Sequence, residues 1–129
     1  MPTSDPRFWA VVDAYDRTAD EELKTRRDVP DKPQIRPYNW RLIGVHYQFR
    51  NRPLRISLDF ESAGERLGRP LSRLRGEALV PGIVLEWVQR SRSRGRLFAM
   101  LGKDANPEVG ARAMQALIAR TRHIVEHYL

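Results

Sequence analysis

The stretch that decides the fold is residues 43–60, "IGVHYQFRNRPLRISLDF", in which two runs of alternating residues flank a short turn. Every second position of each run is apolar: Ile43, Val45, Tyr47 and Phe49, then Leu54, Ile56, Leu58 and Phe60. Alternation with a period of two predicts strands that bury one face. Because "RNRP" is rich in turn-forming residues, we predict that the two strands form an antiparallel hairpin.

The segments downstream of this hairpin predict a helix, a second hairpin and a final helix. Leucines at near-helical spacing predict a helix over 63–79, within which Pro70 begins the regular part. "IVLEWVQ" (83–89) and "RLFAMLG" (96–102) predict the third and fourth strands, and "RSRSRG" (90–95) forms the hairpin tip between them. A long helix is expected from about Val109 to Tyr128, with Asn106 or Asp104 near its start.

The segment upstream of residue 41 predicts a helix followed by a connector. Apolar residues at helical spacing predict a helix over 6–24, capped by Asp5. The next fifteen residues (26–40) contain three prolines, which predicts an extended connector without regular structure. Together these patterns predict one α+β domain over 1–129, with an N-terminal part (1–40) and a ββαββα core (41–129). We expect a two-layer fold with a four-stranded, mainly antiparallel sheet, helices on one face and the other face free.

Composition limits the class of protein. The chain has no cysteine, so disulfides and thiolate metal sites are excluded. The N-terminus lacks the features of a signal peptide, and no apolar run approaches the roughly 20 residues that span a bilayer. We therefore expect a soluble cytoplasmic protein without membrane contact.

Positive charge is concentrated in the middle of the chain. Residues 41–102 carry 12 arginines against 5 acidic residues, whereas residues 1–40 carry 7 basic and 8 acidic residues. A concentrated basic surface attracts polyanions, so nucleic acid or an acidic partner is the first candidate ligand. An alternative interpretation is compositional, because 20 of the 23 basic residues are arginine, as a GC-rich genome would favour.

The arginine-rich second hairpin tip is the candidate binding site. The first hairpin turn could lie at the same end of the sheet and would then supply two more arginines. Arginine forks bind phosphate oxygens in bidentate fashion, so two basic tips would follow a nucleic-acid backbone with little sequence preference. The predicted nucleic-acid-binding residues are Arg50, Arg52, Arg90, Arg92, Arg94 and Arg96. The alternative is that these arginines only keep a solvated tip soluble.

Catalytic and metal sites find little support. A restriction-type nuclease needs a strand aspartate and, on the next strand, a glutamate and a lysine two positions apart. Asp59 and Glu86 lie on predicted strands, but Val88 occupies the lysine position, so we expect both carboxylates to face outward and pair with arginines. We predict no catalytic residue, no metal site and no cofactor.

The histidines, serines, glycines and tryptophans give little evidence of a catalytic or metal site. His123 and His127 are four apart on the final helix but lack further ligands unless His46 contributes, and histidines near a helix C-terminus also suit its dipole. No serine lies in a nucleophile elbow, and the glycine spacing matches no nucleotide-binding fingerprint. The three tryptophans, Trp9, Trp40 and Trp87, fall on apolar phases and are predicted to be core residues.

Several segments resemble a bacterial family known only as the domain of unknown function number four-two-six-eight. The resemblance rests on the opening "FW", on "YNW" followed by "GVHYQFRNRPLRISLDFES", on "LEW", on the arginine before the fourth strand and on the helix after "NPE". In that family the domain commonly follows a nuclease-like domain, in a setting associated with DNA restriction and defence. The resemblance implies a stand-alone copy of this accessory module.

We therefore predict a non-catalytic accessory module that binds DNA or RNA non-specifically, in a restriction or defence context. The alternative is a protein-interaction module that docks an acidic partner or a second copy of itself. A third possibility is a metal-dependent enzyme at the sheet surface.

Overall fold

The computed structural model describes residues 4–28, 32–40, 44–62 and 64–128, which form an α+β domain. Its three α-helices are α1 (Phe8–Thr18), α2 (Gly64–Ser72) and α3 (Pro107–Tyr128). The strands are β1 (Gln34–Ile35), β2 (Val45–Arg50), β3 (Arg55–Phe60), β4 (Ala78–Val80), β5 (Ile83–Val84), β6 (Glu86–Gln89) and β7 (Gly95–Met100). Short 3₁₀ turns lie at Glu21–Leu23 and Tyr38–Trp40. The predicted α+β class is confirmed.

In the described part of the chain, the main sheet has five antiparallel strands in the order β1-β2-β3-β7-β6, and β4 and β5 form a separate two-stranded sheet. The prediction of four strands was therefore wrong. One added strand, β1, lies in the connector that was expected to have no regular structure. Its two residues pair with β2 at the edge of the sheet. Pro33 and Pro37 lie beside this short strand and outside it, so their lack of a backbone N–H does not break its hydrogen bonds to β2.

The predicted third strand is divided between the two sheets. Leu85 lies between β5 and β6. Its backbone N–H donates to the Glu77 carbonyl, beside β4, and not to β7, which is the partner of β6. The hairpin of β2 and β3 is confirmed in the described residues, with Arg50 paired to Arg55 beside the turn. Positions 41–43 of the predicted first strand lie outside the described residues.

The second helix is shorter than predicted. It begins at Gly64, ends at Ser72 and contains Pro70 in its interior rather than at its start. Leu74 lies in the turn that follows, where its N–H bonds the Leu71 carbonyl, and Leu79 lies in β4. The prediction over 63–79 failed because leucine spacing continues across a turn in which Gly76 has a φ of +92°.

The first helix is also shorter than the predicted 6–24, whereas the last agrees closely with its prediction. Helix α1 ends at Thr18, and a 3₁₀ turn follows. Helix α3 begins at Pro107, and Asn106 caps it by accepting a hydrogen bond from the Val109 N–H at 2.9 Å.

The helices pack against one face of the sheet and enclose the apolar core. The Tyr15 ring of α1 meets Phe49 edge to face at 5.4 Å, and the Tyr47 hydroxyl lies 2.7 Å from Thr121 Oγ1 of α3. Helix α1 crosses α3 at Gly110, where a methyl group would lie only 2.9 Å from Val11 Cγ1. These contacts show that odd-numbered residues of β2 face the helices.

The three tryptophans have different environments. Trp40 is buried and stacks on Tyr47 with 5.3 Å between ring centroids. Trp87 is half-buried and stacks on Phe60. The prediction of a core position was wrong for Trp9, which is 40% exposed and lies beneath the Arg27 guanidinium. None of the described helices combines the length and apolar character needed to cross a membrane.

Candidate anion-binding face of the sheet

The face of the sheet opposite the helices carries a row of polar side chains. Because β2, β3 and β7 are antiparallel and in register, His46 lies opposite Asp59, and Asp59 lies opposite Arg96. Directly opposed residues share a face, so these three side chains stand side by side. We call this surface the open face.

Asp59 is the centre of the row and is only 6% exposed. Its Oδ2 accepts a hydrogen bond from Arg50 Nη2 at 2.5 Å, and its Oδ1 accepts one from Arg96 Nε at 2.7 Å. Burial alone would raise the pKa of the Asp59 carboxyl, but Arg50 and Arg96 lower it by more, so the net shift is downward. The Asp59 carboxylate is therefore ionised and holds two guanidiniums.

Arg50 reaches Asp59 by running along the strands. It belongs to the end of β2, and its Nε donates to Ser57 Oγ at 3.2 Å before Nη2 reaches the carboxylate. Ser57 is itself fully buried and donates its hydroxyl to the Gln48 carbonyl. Contacts on two successive rows of the open face thus fix the direction of the Arg50 side chain.

His46 completes the row and is 8% exposed. Its Nε2 lies 3.3 Å from Gln48 Oε1 and 3.6 Å from Asp59 Oδ2. Burial lowers the pKa of the His46 imidazole, and the opposing effect of the Asp59 carboxylate does not reverse the shift. The His46 ring is consequently neutral near pH 7.

Two adjoining polar clefts, of about 260 and 270 Å³, lie on the open face. They share Lys32, Gln48 and Arg50. Their cationic lining residues are Lys32, Arg50, Arg52, Arg55, Arg90, Arg94 and Arg96. Among the described residues, the carboxylates in the lining are Asp59 and Glu61. We refer to the 260 Å³ cleft, which contains Asp59, as the central cleft.

The excess of cations on the open face is accompanied by a lowered pKa of one of them, Arg55. Burial and the neighbouring guanidiniums of Arg50 and Arg96 lower the pKa of Arg55, and the Asp59 carboxylate does not compensate. Arginine remains protonated despite such a shift. Positive charges on this face therefore repel one another, and an anionic ligand would relieve that repulsion.

The six predicted arginines differ in what they contact and in which cleft they line. Arg50 and Arg96 bind Asp59, as described above. Arg90 and Arg94 are exposed at the second hairpin tip and line the central cleft, while Arg52 lines the other cleft. Arg92 lies 3.3 Å from Glu65 Oε1 of α2, and it lines neither cleft.

The two hairpin tips lie at opposite ends of the sheet, so the expectation that they share one end was wrong. The tip at 90–94 adjoins Phe60, which pairs with Gly95, whereas the turn at 51–54 adjoins Arg55, which pairs with Met100. The error arose because sequence does not reveal which strand lies beside which. The Arg50 side chain nevertheless connects the two ends along the open face.

Lys32, His46, Arg55 and Asp59 were not predicted as members of this site. A signal for two of them exists in the sequence, because pairing Arg50 with Arg55 across the first turn places His46 opposite Asp59. The prediction that Asp59 pairs with neighbouring arginines is confirmed, but its expected outward exposure is wrong. Glu86 is exposed and lies opposite Phe98, and it has no part in the row.

In the described part of the chain, no three histidine, aspartate or glutamate residues are grouped to hold an ion. His123 and His127 are exposed on α3, on the helical side, whereas His46 lies on the open face. Glu126 accepts hydrogen bonds from Asn39, Trp40 and Arg122.

A further cleft of about 450 Å³ lies on the helical side, between α1 and α3. Its lining combines apolar residues with charges of both signs, and several of its polar groups bond within the protein. The Tyr15 hydroxyl donates to the Leu23 carbonyl, and Arg122 pairs with Glu22 and Glu126. This cleft lacks the one-sided charge of the open face.

Comparison of the chain with protein-family models, with curated proteins and with solved structures finds no match. The resemblance to the domain of unknown function therefore rests on the quoted residues and stays a prediction.

Proposed function

We propose that this domain is a non-catalytic module that binds nucleic acid through the phosphate backbone, with the open face as its binding surface. The observation that carries the proposal is the charge of the two adjoining clefts, where, counting the described residues, seven cationic side chains face two carboxylates. One of those carboxylates, Asp59, is already bound to two arginines. The ligand that suits such a surface is a polyanion.

The types of residue favour phosphate over other anions. Six of the seven cations are arginines, whose planar forks bond phosphate oxygens in pairs. Backbone contacts carry no sequence information, so binding should be similar for unrelated sequences. The resemblance described above adds restriction or defence as the biological setting, and a cytoplasmic location belongs to the same proposal.

A salt titration with matched variants tests this proposal. The affinity of the wild-type protein for two unrelated DNA duplexes and one RNA duplex is measured by fluorescence anisotropy between low and physiological salt. The double variant Arg90→Ala, Arg94→Ala should bind both DNA sequences more weakly by the same factor. Since each phosphate contact contributes roughly 0.9 to the slope of log affinity against log salt, the slope should fall by nearly two units.

Arg92→Ala is the control, because Arg92 belongs to the same tip but pairs with Glu65 outside both clefts. Its slope should remain close to that of the wild type. If Arg92→Ala and the double variant lose affinity equally, the binding depends on total charge and not on the clefts. If the wild type binds no duplex at low salt, the proposal fails, and a module that docks an acidic protein or a second copy takes its place.

A further inference from the structure

We infer that the central cleft contains a discrete phosphate subsite, in which Asp59 holds the guanidiniums of Arg50 and Arg96 in position to bind one phosphate group. This inference deepens the proposed function, on which it rests for the source of the phosphate. It assigns Asp59, an anion, a positioning role in an anion-binding site.

The hydrogen-bond inventory leaves donors for a ligand. A guanidinium has five N–H donors. Arg96 uses its Nε donor on Asp59, and Arg50 uses Nε on Ser57 and one Nη2 donor on Asp59. The other donors of these two side chains have no acceptor among residues 4–28, 32–40, 44–62 and 64–128. Both side chains line the central cleft, so these donors are available there.

Asp59 fixes the two arginines before any ligand arrives. A free arginine side chain loses rotamer entropy when it is immobilised. Here the side chains of Arg50 and Arg96 are largely buried, at 23% and 17% exposure, and each is anchored to a different oxygen of one carboxylate. The cost of ordering is therefore already met in the free protein, which favours binding by a preorganised site.

The dimensions of the cleft suit a small anion. About 260 Å³ is less than the roughly 300–1,000 Å³ of pockets for drug-sized ligands. Arg90 and Arg94 border the same cleft from the hairpin tip, and Lys32 borders it from the connector. These three cations add positive charge to the lining that holds the arginine pair, which suits a multiply charged phosphate.

The decisive comparison uses the two carboxylates of the cleft. Each variant, Asp59→Asn or Glu61→Gln, removes one negative charge from the same lining, so both should strengthen anion binding if only net charge matters. If Asp59 positions the arginines, Asp59→Asn should instead weaken binding of inorganic phosphate by about tenfold, as expected for losing one charged hydrogen bond. Glu61→Gln should bind phosphate as tightly as the wild type or more tightly.

The measurement is a titration with inorganic phosphate at constant ionic strength, followed through the Nε–Hε resonances of Arg50 and Arg96. Phosphate binding by Asp59→Asn that equals or exceeds that of the wild type would overturn the inference. Since Asp59→Asn leaves two buried guanidiniums without their anion, folding is checked by thermal denaturation. Should that variant not fold, Arg96→Lys replaces it, with Arg92→Lys as the control.

Arg96→Lys keeps the charge but removes the fork, so it should lose about tenfold in phosphate affinity while Arg92→Lys loses none. Equal affinities for these two lysine variants would also overturn the inference. Two further arms identify the source of the phosphate. If an oligonucleotide competes with inorganic phosphate whether or not it carries a 5′-phosphate, the subsite binds a backbone phosphate. If it competes only when it carries a 5′-phosphate, the subsite binds a terminal phosphate.

The failure of this inference differs from the failure of the proposed function. If duplex binding persists but Asp59→Asn leaves phosphate affinity unchanged, the subsite is wrong and the cationic surface stands. If phosphate binds with the expected response to Asp59→Asn but no nucleic acid binds, the subsite stands and the proposed function is wrong.

Discussion

The hydrogen bond between Tyr47 and Thr121 allows a quantitative prediction about the attachment of the helices to the sheet. Both residues are fully buried, and their hydroxyl oxygens are 2.7 Å apart. The Thr121 hydroxyl donates its single proton to the Leu117 carbonyl, also at 2.7 Å. The Tyr47 hydroxyl must therefore be the donor to Thr121 Oγ1.

Because of this direction, removing the Tyr47 hydroxyl and removing the Thr121 hydroxyl should lower the free energy of unfolding by different amounts. Tyr47→Phe removes a donor and leaves Thr121 with its own proton still bonded, so it should lower the free energy of unfolding by about 1 kcal/mol. Thr121→Val leaves the Tyr47 hydroxyl buried without an acceptor, which should cost about 1–3 kcal/mol. Valine and threonine have similar helix propensities, so the comparison isolates the hydroxyl.

The double variant should cost less than the sum of the two single variants, because it leaves no unpaired donor. The four proteins are compared by urea denaturation followed by far-UV circular dichroism. Tryptophan fluorescence is unsuitable because Trp40 stacks on the ring of Tyr47. A larger loss for Tyr47→Phe than for Thr121→Val, or simple additivity, would refute the assigned direction of the hydrogen bond.

Two other predictions concern stability. Gly110→Ala should gain roughly 1 kcal/mol of helix propensity but lose about 1–3 kcal/mol to overpacking against Val11 and Leu101, so the melting temperature should fall; a rise would show that the crossing of α1 and α3 can adjust. Because burial lowers the pKa of His46, the unfolded chain takes up a proton at a higher pH than the folded protein does, and the free energy of unfolding should decrease as the pH falls below about 6.5. His46→Gln should flatten this decrease between pH 7 and pH 5, and equal profiles for wild type and His46→Gln would contradict the assignment.

The strands that sequence could predict are those in which apolar and polar residues alternate. In β2 and β3 the alternation of apolar and polar residues extends over six positions each, which is enough to specify both the strand and its register. Strand β1 has only two residues, Gln34 and Ile35, so no period can be detected in it. Its existence depends on pairing with β2, which is a tertiary contact.

The limits of helix prediction have a different cause. Leu67, Leu71 and Leu74 are all buried, as helical spacing suggested, but only the first two belong to α2. Leu74 reaches the core from a turn. The spacing of apolar residues thus indicates which residues are buried. The backbone conformation that buries them depends on residues such as Gly76, which has a positive φ.

The candidate site was predictable in composition but not in geometry. The charge concentration pointed to arginines at two turns, and five of the six predicted residues line the clefts. The contact of Arg96 with Asp59 joins positions 37 residues apart through the pairing of β3 with β7. Such a pairing of distant strands is absent from local patterns, so the burial of the Asp59 carboxylate could not be predicted.

The position of the two hairpin tips at opposite ends of β3 sets a length for any nucleic acid that lies along this strand. Six strand residues extend for about 20 Å, and a duplex rises 3.4 Å for each base pair. One copy of the domain would therefore cover about six base pairs, or just over half a turn of the double helix. On a longer duplex the arginine tips of neighbouring copies would meet, and the repulsion between them would oppose close spacing of the copies.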